Sequence, residues 1–241
     1  MPVEDPVETF SGVPVDLIGL WNFWSVKDQI AADIEINSAA IQEVAGIFLG
    51  FGSGDRKKWA EFLQEARNIE YLVSWTGNNG QHFFDAICNM HWLKRLCFGR
   101  LGAPDISNIS KLTELEYLCA TQLSGSRTLE PITTMKRLRV VELGLTRKID
   151  SYFECFESNE MHSIVSMKFY SNSPLTVPSI SPFSRIPSLE YLSLPTVRPL
   201  DGSLKYLFEL PKLKALHIPN GGWDKDEIDG LKDMGIKLLL E

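Results

Sequence analysis

Long apolar runs are missing from this 241-residue sequence: the longest, Val44 to Phe51, is broken by two glycines and is far shorter than the roughly 20 residues of a membrane span. Met1 to Gly12 is acidic and proline-bearing, without the basic then apolar order of a secretory signal, so a cytoplasmic protein with no membrane attachment is expected. Cysteine is scarce. Cys88, Cys97, Cys119 and Cys155 form no CxxC pair, which excludes a zinc ribbon or thioredoxin-like motif and leaves reduced thiols. Cations are outnumbered, 24 Lys and Arg against 31 Asp and Glu, for a net charge of −7; a general nucleic-acid binder would carry a basic stripe instead. Catalytic constellations are lacking as well. His82, His91, His162 and His217 sit in no HExxH-like or HxH arrangement, and no GxSxG elbow occurs. Asp224, Asp226, Glu227 and Asp229 lack the spacing and closing glutamate of a calcium-binding loop. The expectation is a protein that is not an enzyme and takes no cofactor or metal.

What the sequence has is a repeated spacing of apolar residues. In Ile186, Leu189, Leu192 and Leu194 the steps are three, three and two, the change a chain makes on leaving a turn and entering a strand with one buried face. The same four positions are apolar at Met90-Leu93-Leu96-Phe98, Leu112-Leu115-Leu118-Ala120, Met135-Leu138-Val141-Leu143, Met161-Ile164-Met167-Phe169 and Leu210-Leu213-Leu216-Ile218. Weaker copies precede them at Ile41-Val44-Ile47-Leu49 and Ala66-Ile69-Leu72-Ser74, and a truncated one follows at Ile236-Leu239. Successive second positions are separated by 25, 24, 22, 23, 26, 25, 24 and 23 residues. One such unit cannot bury its apolar face alone; side-by-side stacking pairs each strand with the next and closes a continuous core.

A motif of this kind, repeated at this period over about 200 residues, resembles the leucine-rich-repeat family. The resemblance implies an α/β solenoid, or horseshoe, with a parallel concave β-sheet and short helices or 3₁₀ segments on the convex side. It also implies a scaffold that binds another protein, as an adaptor, inhibitor or immunity-type factor; the net charge of −7 and the lack of a long apolar run add the expectation that neither nucleic acid nor membrane is a partner. Residues 1–40 lack the repeat and are expected to form an N-terminal cap, with Ser25 opening a short helix through Asp33; residues 41–241 form the solenoid. The acidic stretch Trp223 to Met234 reads as an amphipathic helix closing the far end. Many members of the family place Asn three residues beyond the last strand leucine, and here only Asn172 does so.

Strand alternation directs the third, fifth, seventh and eighth residues of each copy, counted from its second apolar position, to the concave side. The residues expected to contact a partner protein are Tyr71, Trp75, Arg95, Arg100, Tyr117, Glu142, Lys168, Tyr170, Tyr191 and His217, a mix rich in the side chains enriched at interfaces. Cys97 and Cys119 hold the same position in adjacent copies and are expected to be lateral neighbours. The alternative functional reading is a regulatory protein binding nucleotide or phosphate at the glycine-rich turn Gly50 to Gly54, although its GxGxG spacing matches neither established phosphate-binding pattern.

Overall fold

The computed structural model describes residues 29–32, 41–50, 56–146, 153–157 and 161–240. The three-residue step is a reverse turn. Leu93 N–H donates to Met90 O at 2.8 Å, Leu115 to Leu112 at 3.1 Å and Leu189 to Ile186 at 3.0 Å, so both apolar residues of each turn point inward while the chain reverses. The next amides reach across to the preceding unit. Lys94 and Arg95 N–H share Glu70 O at 2.9 and 3.1 Å, and Glu116 and Tyr117 share Lys94 O in the same way. Each turn thereby starts a parallel ladder.

Among the described residues ten strands form one sheet, all neighbours being parallel: β1 (Gln29–Ala32), β2 (Gly46–Leu49), β3 (Tyr71–Asn79), β4 (Arg95–Leu101), β5 (Tyr117–Leu123), β6 (Val140–Gly144), β7 (Ser166–Tyr170), β9 (Tyr191–Ser193), β11 (Ala215–Ile218) and β12 (Lys237–Leu240), in that order. A separate two-stranded ladder pairs β8 (Leu175–Val177) with β10 (Val197–Pro199). The intervening segments supply α1 (Arg56–Leu63), α2 (Gln81–Cys88), α3 (Glu130–Thr133), α4 (Lys225–Asp233) and 3₁₀ turns at Ser107–Lys111, Glu154–Phe156, Ser181–Arg185 and Lys205–Glu209. Pro131 and Pro182 stand in the first turn of their segments, where a missing N–H costs no hydrogen bond.

The repeat leucines line one continuous core: Leu72, Leu96, Leu118, Val141, Met167, Leu192 and Leu216 are neighbours in register and all buried. Phe153, Phe156, Phe169 and Phe183 fill its middle, with Phe153 4.7 Å from Phe183 and 4.9 Å from Phe169 between ring centres. At the far end α4 is capped by Asp224, whose carboxylate accepts from the N–H groups of Asp226 and Glu227, as expected for a polar terminal unit.

The N-terminal region differs from expectation. Residues 29–32, assigned from sequence to a helix opened by Ser25, extend the sheet as β1, with Ile30 in register with Ile47. Edge pairing with β2 satisfies backbone groups that a short isolated helix would leave to solvent. The remainder of 1–40 lies outside the described residues.

Candidate protein-binding groove

The concave face divides into a closed middle and an open margin. Across the middle, the third-position residues Tyr71, Arg95, Tyr117, Val140, Ser166, Tyr191 and Ala215 are lateral partners, as are the fifth-position residues Val73, Cys97, Cys119, Glu142, Lys168, Ser193 and His217. Cys97 and Cys119 are thus neighbours as expected. Val73, Cys97, Tyr117, Cys119, Val140, Tyr191 and Ala215 form a second apolar cluster on this face. Tyr117 and Tyr191 are only 4% and 6% exposed, because strands at about 4.8 Å spacing hold large side chains of adjacent rows against one another.

The charged members of these rows are satisfied internally. Lys168 Nζ lies 3.1 Å from Glu142 Oε1 and 5.3 Å from the centre of the Tyr170 ring. Burial raises the Glu142 carboxyl above its usual range, opposed by the charge and hydrogen bond of Lys168 and by a hydrogen bond with Tyr117. The Arg95 guanidinium stacks 4.6 Å over the Tyr71 ring. His217 Nδ1 and Ser193 Oγ are 3.0 Å apart. A hydrogen bond with Cys97 and burial push the Cys119 thiol up, and burial pushes Cys155 up to about 12; a protonated thiol is a poor nucleophile and metal ligand. Among the described residues no group of three or more His, Cys, Asp or Glu could hold a metal ion.

The open margin lies where β3 to β7 leave the sheet, and it is created by an irregularity in β3. Ser74 pairs with Phe98 and Asn78 with Arg100, so β3 spends four residues where β4 spends two. Trp75, Thr76 and Gly77 fill this bulge. Bulges redirect side chains and recur beside binding sites, and here Trp75 is turned outward to 37% exposure. Gly99 lies beneath it: a Cβ there would come 3.2 Å from the Trp75 carbonyl oxygen. Asn79, buried inside the bulge, closes it. Its amide donates to Ser74 O and Arg100 O at 3.2 and 2.8 Å and its oxygen accepts from Ser74 Oγ at 2.7 Å.

From Trp75 a groove runs across the sheet as two adjoining depressions of about 460 and about 190 Å³ that share Thr121, Gln122, Tyr170 and Asn172. Of the residues expected to bind a partner, it brings together Trp75, Arg100 and Tyr170 and leaves out Tyr71, Arg95, Tyr117, Glu142, Lys168, Tyr191 and His217. Its floor depends on Gly144, where a Cβ would collide with Thr121 O at 1.9 Å and approach the Tyr170 ring. Asn172 is exposed and lines this groove, so the backbone-bonding Asn of the repeat is Asn79 instead, displaced by the bulge. Asn78 and Asn79 were not reached from sequence. The available signal is the step of 24 from Ile69 to Leu93 against 22 from Leu93 to Leu115, two residues more in the unit that contains β3.

A turn-plus-strand unit stacked into one long parallel sheet, with short helices and 3₁₀ turns on its other side, defines a leucine-rich-repeat solenoid. The same fold is found in solved structures at low sequence identity. An internalin (InlF) from Listeria monocytogenes is 16% identical, with 88% of this chain and 60% of that one covered at a TM-score of 0.54. A leucine-rich-repeat protein of Leptospira interrogans is 13% identical, with 86% and 51% covered at a TM-score of 0.56. TLR13, in its complex with the RNA ssRNA13, is 15% identical, with 86% and 33% covered at a TM-score of 0.57. No protein-family model matches the sequence, and a search of curated proteins finds no match. Gly50 to Gly54, the alternative phosphate-binding turn, lies outside the described residues except for Gly50. Among the described residues, no helix is long and apolar enough to cross a membrane.

Proposed function

We propose that this chain is a non-enzymatic binding scaffold whose partner is another protein, held at the margin groove rather than on the middle of the concave sheet. The observation that carries the reading is the bulge in β3, which exposes Trp75 beside Arg100 at the mouth of a groove. An exposed tryptophan at the mouth of a groove offers a partner a large apolar contact, and Trp and Arg are the residues that most often dominate interface energetics. A sheet already ordered by its ladders loses little entropy on association, which favours binding. The net charge of −7 argues for a protein rather than a nucleic acid, although TLR13 is a solenoid with bound RNA. The four free cysteines favour a reducing, cytoplasmic setting.

The test is site-specific photo-crosslinking in the native extract from a probe at position 75, with a probe at the exposed turn residue Lys212, outside the groove, as control. A protein adduct found from position 75, absent from position 212 and lost when Arg100 is changed to Ala, is expected. Identical adduct patterns from both positions would sink the reading.

A further inference from the structure

We propose that the groove accepts an extended peptide segment bearing an acidic side chain, with Arg100 as the carboxylate anchor; this rests on the protein-binding reading above and specifies its partner. Three features of the lining carry it. The first is charge. In a chain of net charge −7, neither depression is lined by a single carboxylate, and Arg100 projects into the larger one. Its Nε donates to Ser124 Oγ at 3.3 Å, which fixes the guanidinium plane, and among the described residues its two Nη groups carry no bond. A planar guanidinium held at one edge offers the parallel donors that a carboxylate accepts. Arg56 adds a second cation at the rim, donating to Asn78 O at 2.6 Å.

The second feature is a set of amides without a protein partner. The side chains of Asn78, Gln122 and Asn172, all at the groove, make no hydrogen bond among the described residues. Each carries a donor pair and an acceptor, the complement of a peptide backbone. The third is dimension. The groove crosses β3 to β7, four gaps of about 4.8 Å or roughly 19 Å, which matches five or six extended residues at about 3.4 Å each. Trp75 on β3 and Tyr170 on β7 offer apolar contact to side chains at separate points of that length. A single-stranded nucleic acid of the same span would bring a phosphate at every nucleotide and needs a row of cations, whereas this groove supplies one anchor and one rim charge.

The probes are two pooled libraries of acetylated, amidated hexapeptides, identical except that a fixed central residue is Glu in one and Gln in the other, read by fluorescence polarisation against the full chain. The Glu pool is expected to bind about tenfold more tightly than the Gln pool, the range of one charge-assisted hydrogen-bond pair. Arg100→Gln is expected to abolish that difference, and Trp75→Ala to weaken both pools alike. Both side chains are exposed, so neither change removes core packing; unchanged thermal melting checks this. Equal binding of the two pools overturns the proposal. So does a single-stranded RNA octamer that binds where the peptides do not and is released by Arg100→Gln. If a protein still cross-links through position 75 while the pools bind alike, the protein-binding reading stands and the acidic occupant alone falls.

Discussion

At the scale of single residues, position in the repeat says which way a side chain points, and its neighbours decide whether it can be used. Tyr117 and Tyr191 point to the concave side and are buried there. Their removal therefore acts on stability. Tyr117→Ala and Tyr191→Ala are each expected to cost about 3–5 kcal/mol, as large aromatic truncations in packed sites do, measured by denaturant unfolding, with Trp75-dependent binding retained in the folded fraction. Glu142 and Lys168 form the half-buried ion pair of this face. Burial raises the Glu142 carboxyl, and Lys168 opposes the rise. A carboxyl whose folded-state pKa is raised is stabilising in its protonated form, below its unfolded value, and loses that stability as pH rises through the folded value. Lys168→Met raises it further. The variant should be about 1–3 kcal/mol less stable than the parent near pH 7, with the deficit shrinking on acidification toward the ordinary carboxylate range; a deficit independent of pH would contradict this assignment.

At the scale of elements, β3 is the strand that departs from its neighbours. Its alternation is regular through Ser74, after which two surplus residues lift Trp75 out of the sheet and Asn79 seals the break. Deleting Thr76 and Gly77 brings four residues against two back to two against two. That variant is expected to fold, with the circular dichroism of the parent, and to lose photo-crosslinking from position 75. Retained crosslinking would mean that the bulge is incidental to binding. The strand was legible in the sequence as an apolar alternation, and Trp75 was placed on the concave side. The bulge was not, because a two-residue surplus leaves the spacing of apolar positions within the range of the other units, and only pairing with β4 shows where the surplus sits.

At the scale of the whole molecule, each unit touches chiefly its neighbours, so stability is distributed along the stack. Leu192 is fully covered between β7 and β11, whereas Leu238 is half-buried on β12, which pairs with β11 alone. Leu192→Ala should cost about 2–5 kcal/mol. Leu238→Ala should cost less, with hydrogen-exchange protection lost only in β11, α4 and β12. The order of strands, their parallel pairing and their core face follow from the step of three, three and two, because that step encodes a turn and a strand in local geometry and recurs at a period that only stacking can satisfy. No such local rule says which concave residues remain open to a partner. That depends on how side chains from adjacent units crowd one another, on a bulge defined by a partner strand 24 residues away in the chain, and on which polar groups find mates within the fold. Trp75, Arg100 and Tyr170 meet at one groove, and Tyr117 and Tyr191 are withdrawn from solvent, for those reasons of packing between units.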